Sequence, residues 1–321
     1  MGDEGFAQPW LDFEKEVGQR FLIKGPIEKC NEQFASFGAA LMKHLTFPAG
    51  DSSVKTEDKE IATGLKIRIY TPPNYAGNKP AVLFYHGGGW AMGDLDGEDY
   101  ETREVCRDTG LVIISVAYRL APENPFPAGL NDCVTAYRWA IENSRLLNTV
   151  PNEGITFGTS AGGNLALSVA LKLIDTGGAE SLKGVATIAP VTVSRHDIPE
   201  NLKARYTSYN ENTKKSIDTE EGMKAFQDAY GGDGKDPYVS PLLHPRIKDL
   251  PKVYIVWASM DTLRDDSKLF IEAMNEAGVS NRADEYTGYP HWFWGYPSKH
   301  LVQLRKDYFS NMKKGFEFIL S

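Results

Sequence analysis

A serine at position 160, with Gly158 and Gly162 two residues away on either side, is the feature of this sequence best suited to covalent chemistry. The G-x-S-x-G spacing fits a sharp corner between a strand and a helix, where the serine backbone is strained and only small neighbours are tolerated. Gly154-Ile155-Thr156-Phe157 upstream reads as a short buried strand, and residues 165–173 downstream form an apolar run suited to a helix. Such a corner exposes the hydroxyl and points the unpaired N–H groups of the helix N-terminus at any charge developing beside it. The pentapeptide alone is equally compatible with a glycine-rich turn that does no chemistry, so its partners decide.

A second tract, Tyr85-His86-Gly87-Gly88-Gly89-Trp90, follows directly on the apolar run 81–85. Consecutive glycines let successive N–H groups point into open space. There they can stabilise the oxyanion of a tetrahedral intermediate, each contributing about 10²–10³ in rate. Together with the residue after the nucleophile, this makes Gly88, Gly89 and Ala161 the expected oxyanion donors. A serine hydroxyl also needs a base, and the base an orienting acid. Of six histidines, His86 belongs to the glycine loop and is expected to bond its own backbone. His44 lies in the N-terminal arm, His196 in an insertion, His244 just past that insertion, and His300 on the last helix. His291, in Tyr289-Pro290-His291-Trp292-Phe293, alone follows the last expected strand. Asp261 directly follows the strand at 253–258, whereas Asp265 and Asp266 suit the first turn of a helix, complementing its dipole. Ser160, Asp261 and His291 thus run in the order nucleophile, acid, base, each just beyond the carboxyl end of a different strand.

The elements that must position these groups alternate along the chain. Strands are expected at 65–70, 81–85, 111–116, 154–158, 184–189, 253–258 and near 282–286, with helices at 97–109, 128–143, 161–175, 265–277 and 298–320. That alternation predicts an α/β protein with a mostly parallel sheet covered on both faces. Residues 1–50 and 191–240 fall outside it. Loops at the carboxyl ends of parallel strands form the binding crevice, so the two segments are expected to fold together as a helical cap over a core made of 51–190 and 241–321. A packing arm or a dimer contact is the alternative reading of each. Bulky aromatics near the elbow (Trp90, Trp292, Phe293) and in the cap (Phe34, Phe37, Tyr206, Tyr209) suggest a compact apolar pocket; of these, Trp90, Trp292, Phe293, Tyr206 and Phe34 are the candidate substrate-binding residues.

Composition sets the remaining bounds. The chain has 321 residues, 41% hydrophobic and 24% charged, enough for one large core with a smaller appended cap. A net charge of −8 argues against a nucleic-acid or anionic-membrane partner. No stretch approaches the roughly 18–20 uninterrupted apolar residues that span a bilayer. Met1-Gly2-Asp3-Glu4-Gly5 lacks the basic-then-apolar layout of a secretory leader, and Phe6 stands where myristoylation requires Ser or Thr. Cys30, Cys106 and Cys133 have no paired spacing and no N-x-S/T sequon is present, so reduced thiols and a cytoplasmic location are expected.

With these motifs the chain resembles the hormone-sensitive-lipase-like family of α/β-hydrolases. The matching residues are His86-Gly87-Gly88-Gly89-Trp90, Tyr118-Arg119-Leu120-Ala121-Pro122-Glu123 with Pro125-Phe126-Pro127-Ala128, Gly158-Thr159-Ser160-Ala161-Gly162-Gly163, Asp261-Thr262-Leu263-Arg264-Asp265, and His291. Together they cover roughly residues 55–300. The resemblance implies an eight-stranded sheet, a capped pocket, and a serine carboxylesterase acting on small to medium-chain acyl esters without metal or organic cofactor. It further implies a scaffolding role for 119–128, with Asp132 bonding the glycine loop from behind, and a homodimer through an exposed sheet edge. Thr159 and Thr262 stand where many members carry Asp and Pro, changes expected to leave the reacting atoms untouched. A thioesterase, an amidase or a transacylase of a biosynthetic pathway would use the same groups. A non-catalytic receptor is the other alternative; plant gibberellin receptors resemble the family but lack the histidine that His291 supplies here.

Overall fold

The apolar runs become the middle of a twisted eight-stranded sheet, and the charged, helix-periodic stretches cover its faces. The computed structural model describes residues 3–321. In chain order it begins with α1 (Gln8–Val17), α2 (Ile27–His44), β1 (Lys55–Ala62), β2 (Leu65–Thr71), β3 (Ala81–Tyr85), α3 (Asp99–Thr109) and β4 (Ile113–Ala117). It continues through α4 (Ala128–Glu142), α5 (Ser144–Leu147), β5 (Gly154–Thr159), α6 (Ala161–Asp175) and β6 (Leu182–Ile188). Three helices follow, α7 (Glu200–Lys203), α8 (Ser208–Asn212) and α9 (Glu220–Tyr230). The chain closes with β7 (Lys252–Ala258), α10 (Arg264–Glu276), β8 (Asn281–Tyr286) and α11 (Val302–Leu320).

The strand order is β1-β2-β4-β3-β5-β6-β7-β8, antiparallel at β1, β2 and β4 and parallel from β4 onward. Every residue of β3 and β5 is buried, as expected for strands covered on both faces. Strand β1 is absent from the sequence-based expectation for a physical reason. Its Lys-Thr-Glu-Asp-Lys-Glu sequence is exposed on an outer edge, where charge discourages further pairing and no apolar alternation marks the strand.

Register brings the functional loops together. Tyr85 lies opposite Gly158, Thr159 opposite Ile188, Ile188 opposite Val256, and Ala258 opposite Tyr286. The loops carrying Gly88, Ser160, Asp261 and His291 therefore leave the sheet on the same edge. The first turn of α6 passes so close to the end of β3 that a Cβ on Gly162 would sit 1.9 Å from the Tyr85 carbonyl oxygen. Backbone cannot yield by that distance, so the second glycine of the serine corner is a packing requirement.

Segments 1–50 and 191–240 clasp one another beside that edge. Ile23 forms a parallel bridge with Asp218, its N–H donates to the Ile217 carbonyl at 2.8 Å, and the Thr219 hydroxyl donates to the Ile23 carbonyl. Asp265 and Asp266 do sit in the first turn of α10, but they are buried and serve mainly as anchors. Asp265 accepts the N–H groups of Thr207 (2.7 Å) and Ser208 (2.8 Å), and Asp266 accepts those of Thr192 (2.8 Å) and Val193 (3.2 Å) together with the Tyr206 hydroxyl. Burial pushes the Asp266 carboxyl up to about 7 against the pull of these donors. Cys30, Cys106 and Cys133 are unpaired and buried, and among the described residues no helix is long and apolar enough to cross a membrane.

Candidate active site

Ser160 occupies the turn between β5 and α6 with φ 54° and ψ −118°, a conformation that side chains other than glycine rarely adopt. Its N–H donates to Ile188 O at 2.7 Å and its carbonyl receives Asn164 N–H at 3.0 Å, so bonds on both sides hold the strain in place. The hydroxyl oxygen lies 3.0 Å from His291 Nε2. On the far side of the ring, His291 Nδ1 lies 2.7 Å from Asp261 Oδ2, while Asp261 Oδ1 accepts the Leu263 N–H at 2.8 Å. The His291 backbone N–H donates to Ser216 Oγ at 3.1 Å. With the proton on Nδ1 shared toward Asp261, the Nε2 lone pair faces the serine hydroxyl. That is the tautomer a general base requires.

Gly88 and Gly89 have φ of +115° and +60°, and a Cβ on Gly89 would fall 2.4 Å from the Phe226 ring. Among the described residues the N–H groups of Gly88, Gly89 and Ala161 donate to no protein acceptor, which leaves all three available to an oxyanion. The glycine loop is fixed from behind by Glu98, whose Oε1 accepts both the Gly87 N–H and the Thr159 hydroxyl at 2.7 Å. This corrects one expectation. Asp132 does not reach the loop; it accepts Arg119 N, Nε and Nη2 at 2.9, 2.9 and 2.8 Å. Thr159, as expected, leaves Ser160 Oγ, His291 and Asp261 untouched, while its hydroxyl ties the serine corner to Glu98, which holds the glycine loop. Burial raises the Glu98 pKa, and the two donors oppose that rise. His86, as expected, bonds its own segment, with Nδ1 2.8 Å from Gly87 O and its ring stacked on Tyr118 at 4.3 Å.

A cavity of about 130 Å³ opens over Ser160, walled by the glycine loop, His291 and residues of segments 1–50 and 191–240. Phe34 and Trp292 line it as a parallel stack, with ring centroids 5.0 Å apart and planes within 3°. The other three aromatics expected there lie elsewhere. Trp90 stacks on Tyr230 at 4.4 Å and faces a separate cavity beside α9. Phe293 is fully buried between Tyr286 (4.4 Å) and Trp294 (5.2 Å). Tyr206 turns its hydroxyl to Asp266 and its ring to Tyr209. Phe293 is thus held by core packing, Trp90 by its stack on Tyr230 and Tyr206 by its bond to Asp266. Ile23, Met92, Ile217, Met223 and Phe226 take their places at the cavity wall.

A family model for the α/β-hydrolase fold matches residues 82–295, the stretch that holds the glycine loop, Ser160, Asp261 and His291. The chain belongs to the α/β-hydrolase family. Versiconal hemiacetal acetate esterase of Aspergillus parasiticus is 39% identical over 315 residues, covering 98% of each chain. The FAD-linked oxidoreductase pytB of Aspergillus terreus is 44% identical over 272 residues, 85% of this chain, and this chain spans 33% of that protein's length. A thermostable esterase from Pseudomonas putida superimposes with a TM-score of 0.84 at 26% identity, covering 100% of this chain and 98% of the other.

Besides Glu98, a second group of this α/β-hydrolase's site is not marked in the sequence. Asp218, from the segment between β6 and β7, places Oδ2 at 3.6 Å from His291 Nδ1 and is 5% exposed. Its local sequence, Lys-Ser-Ile-Asp-Thr, carries no motif, and only the folded cap brings it to the histidine. Burial pulls the His291 pKa down, but the carboxylates of Asp218 and Asp261, with Glu98 further off, outweigh it and lift the imidazole to about 9. Thr262 also takes part, since its hydroxyl contacts Asp218 Oδ2 at 2.6 Å.

Proposed function

We propose that this α/β-hydrolase is a serine carboxylesterase acting through an acyl-enzyme, with Ser160 as nucleophile, His291 as base and Asp261 as orienting acid. The observation that carries the proposal is the continuous contact chain from Asp261 through His291 to Ser160, at 2.7 and 3.0 Å, beside three uncommitted N–H groups. His291 Nε2 accepts the Ser160 proton as Oγ attacks the ester carbonyl. Asp261 stabilises the imidazolium so formed, and the N–H groups of Gly88, Gly89 and Ala161 receive the oxyanion. The imidazolium then protonates the departing alcohol, and water repeats the sequence on the acyl-enzyme. No step calls for a metal or an organic cofactor.

A base must be unprotonated to act, so a raised His291 pKa moves the acid limb of the rate profile upward. On a neutral ester, kcat/KM is expected to rise with pH and level off only near the His291 value of about 9. Initial rates from pH 5 to 10 check this, and a plateau already complete at pH 6 would contradict it.

Cavity size directs the choice of acyl group. At about 130 Å³ the space is close to the roughly 150 Å³ cavity that accepts benzene, which suits a short acyl chain with an aromatic alcohol toward the opening. For p-nitrophenyl esters, kcat/KM with acetate or butyrate should exceed that with decanoate by about tenfold or more, since even one methylene that a pocket cannot seat costs about 1–3 kcal/mol. Activity that grows with chain length would overturn the short-chain reading. Inactivity across the whole panel, with Ser160 also refusing a phosphonate label, would favour a receptor. Ester, thioester and amide derivatives of one acyl group, with product analysis for transfer to an added alcohol, separate hydrolysis of esters from the thioesterase, amidase and transacylase alternatives.

We read the setting as cytoplasmic from the three unpaired thiols, and the substrate as a free small molecule. Strand β8 pairs only with β7, and its free edge is the surface proposed for a homodimer.

A further inference from the structure

We propose that Asp218 is a positioning residue for His291, a second carboxyl that the cap delivers to the imidazole and that Thr262 and Ser216 aim. The inference rests on the reading of His291 as the base. Its geometry, however, can be tested without turnover.

Asp218 Oδ2 lies 3.6 Å from His291 Nδ1, on the same ring nitrogen that Asp261 holds at 2.7 Å. Hydroxyls from two different parts of the chain fix the carboxyl. Ser216 Oγ contacts Asp218 Oδ1 and accepts the His291 backbone N–H, so one side chain orients both the acid and the base. Thr262, directly after Asp261, lies 2.6 Å from Asp218 Oδ2 and 2.7 Å from the Asp218 carbonyl oxygen. A hydroxyl has one hydrogen to give. Both Thr262 contacts are hydrogen bonds at once only when Asp218 carries a proton and donates it to Thr262. With Asp218 ionised, the Thr262 hydroxyl turns to the carboxylate. The site accommodates either state, consistent with an Asp218 carboxyl pushed by burial and by the Asp261 charge up to about 7.

Asp218 reaches this position because it forms the clasp between the two cap segments. It bridges Ile23, and its neighbours Ile217 and Thr219 bond the Ile23 N–H and carbonyl. A seated cap therefore places a negative charge beside the imidazolium that forms during acyl transfer, and a displaced cap removes it. The other titratable groups around this pair are Asp261, from the loop after β7; Glu98, ahead of α3; and the phenols of Tyr209 on α8 and Tyr296 after β8. Asp218→Asn leaves the side chains of all four in place, so a change in the His291 titration reports the loss of the Asp218 charge.

The test is Asp218→Asn, which keeps size and hydrogen-bonding shape while removing the charge. The titration of His291 is followed by NMR of ¹³C-histidine-labelled protein, and the acid limb of kcat/KM is measured alongside. Loss of a carboxylate beside an imidazole lowers its pKa, so both curves should move to lower pH by about one unit or more. The imidazolium of the transition state loses the same support, and kcat on the plateau should fall about tenfold with KM little changed. A purely structural clasp would alter stability but leave the His291 titration where it was. Thr262→Val supplies a second arm should Asp218→Asn fold poorly. Without its hydroxyl donor Asp218 ionises less readily, and the His291 titration should move the same way by a smaller amount. Unchanged His291 titration in the folded variants overturns the proposal. A shifted titration in a protein that hydrolyses no ester would leave it standing and reject the esterase reading instead.

Discussion

Ser160→Ala should lower kcat on p-nitrophenyl acetate by about 10⁶ while leaving the fold intact, the scale of loss seen when a triad serine is removed. Among the described residues Ser160 Oγ has one hydrogen-bond contact, to His291 Nε2, so its removal deprives only that nitrogen, at the cavity wall, of a partner. The strained backbone at φ 54° is held by Ile188 O and Asn164 N–H, and alanine meets the same strain as serine there. Thermal unfolding should therefore change little, which separates a chemical loss from a folding loss. The glycine loop and the Ala161 N–H survive, so the residual rate should still exceed that of the uncatalysed reaction. Retention of most of the activity in a correctly folded variant would remove Ser160 from the mechanism.

The second large effect is expected at Asp261, where the Leu263 N–H fixes the carboxylate. Asp261 Oδ1 accepts Leu263 N–H at 2.8 Å, while Oδ2 faces His291 Nδ1 at 2.7 Å. In Asp261→Asn the amide oxygen must stay on the Leu263 side to keep that bond. The NH₂ is then turned toward His291 and demands an acceptor, so Nδ1 gives up its proton and Nε2 carries it instead. An imidazole protonated at Nε2 cannot take the Ser160 proton, and kcat should fall about 10⁴-fold. KM should move little, because Asp261 is 1% exposed and lies behind the histidine, away from substrate. Kinetics of the purified variant test this, and a loss of tenfold or less would show that Asp261 does not set the tautomer.

Much of this site was legible in the sequence because its key parts are local. The corner at Ser160 and the loop at Gly88 and Gly89 rest on glycines within a few residues of the reacting groups, and their spacing survives in the linear text. Asp261 and His291 were identified by their place after particular strands, which the apolar runs revealed. Glu98 and Asp218 were invisible for the opposite reason. Each is an ordinary acidic residue in a polar stretch, and its partner lies 61 or 73 positions away, brought near only by tertiary packing. Thr159 and Thr262 stand out in the sequence as departures from the family pattern, but a hydroxyl acquires a role only once the carboxyl opposite it is known.

The aromatic assignments failed differently. Ring size marks a residue as buried, but not whether the burying surface is a cleft or the core. Phe34 and Trp292 reached the cavity, whereas Phe293 and Tyr206 were drawn into packing beneath it and Trp90 into a stack beside α9. Strand β1 escaped notice because an edge strand exposed along its length has no apolar alternation to read.

The central claim is that Ser160 becomes covalently bonded to the acyl carbon of the substrate. A p-nitrophenyl alkylphosphonate mimics that step and stops there, so mass spectrometry of the treated protein followed by peptide mapping tests it most directly. A single adduct on the peptide bearing Ser160 is expected, formed more slowly in Asp261→Asn and absent in Ser160→Ala. No adduct on the folded wild-type protein, or an adduct on any other residue, would contradict the account.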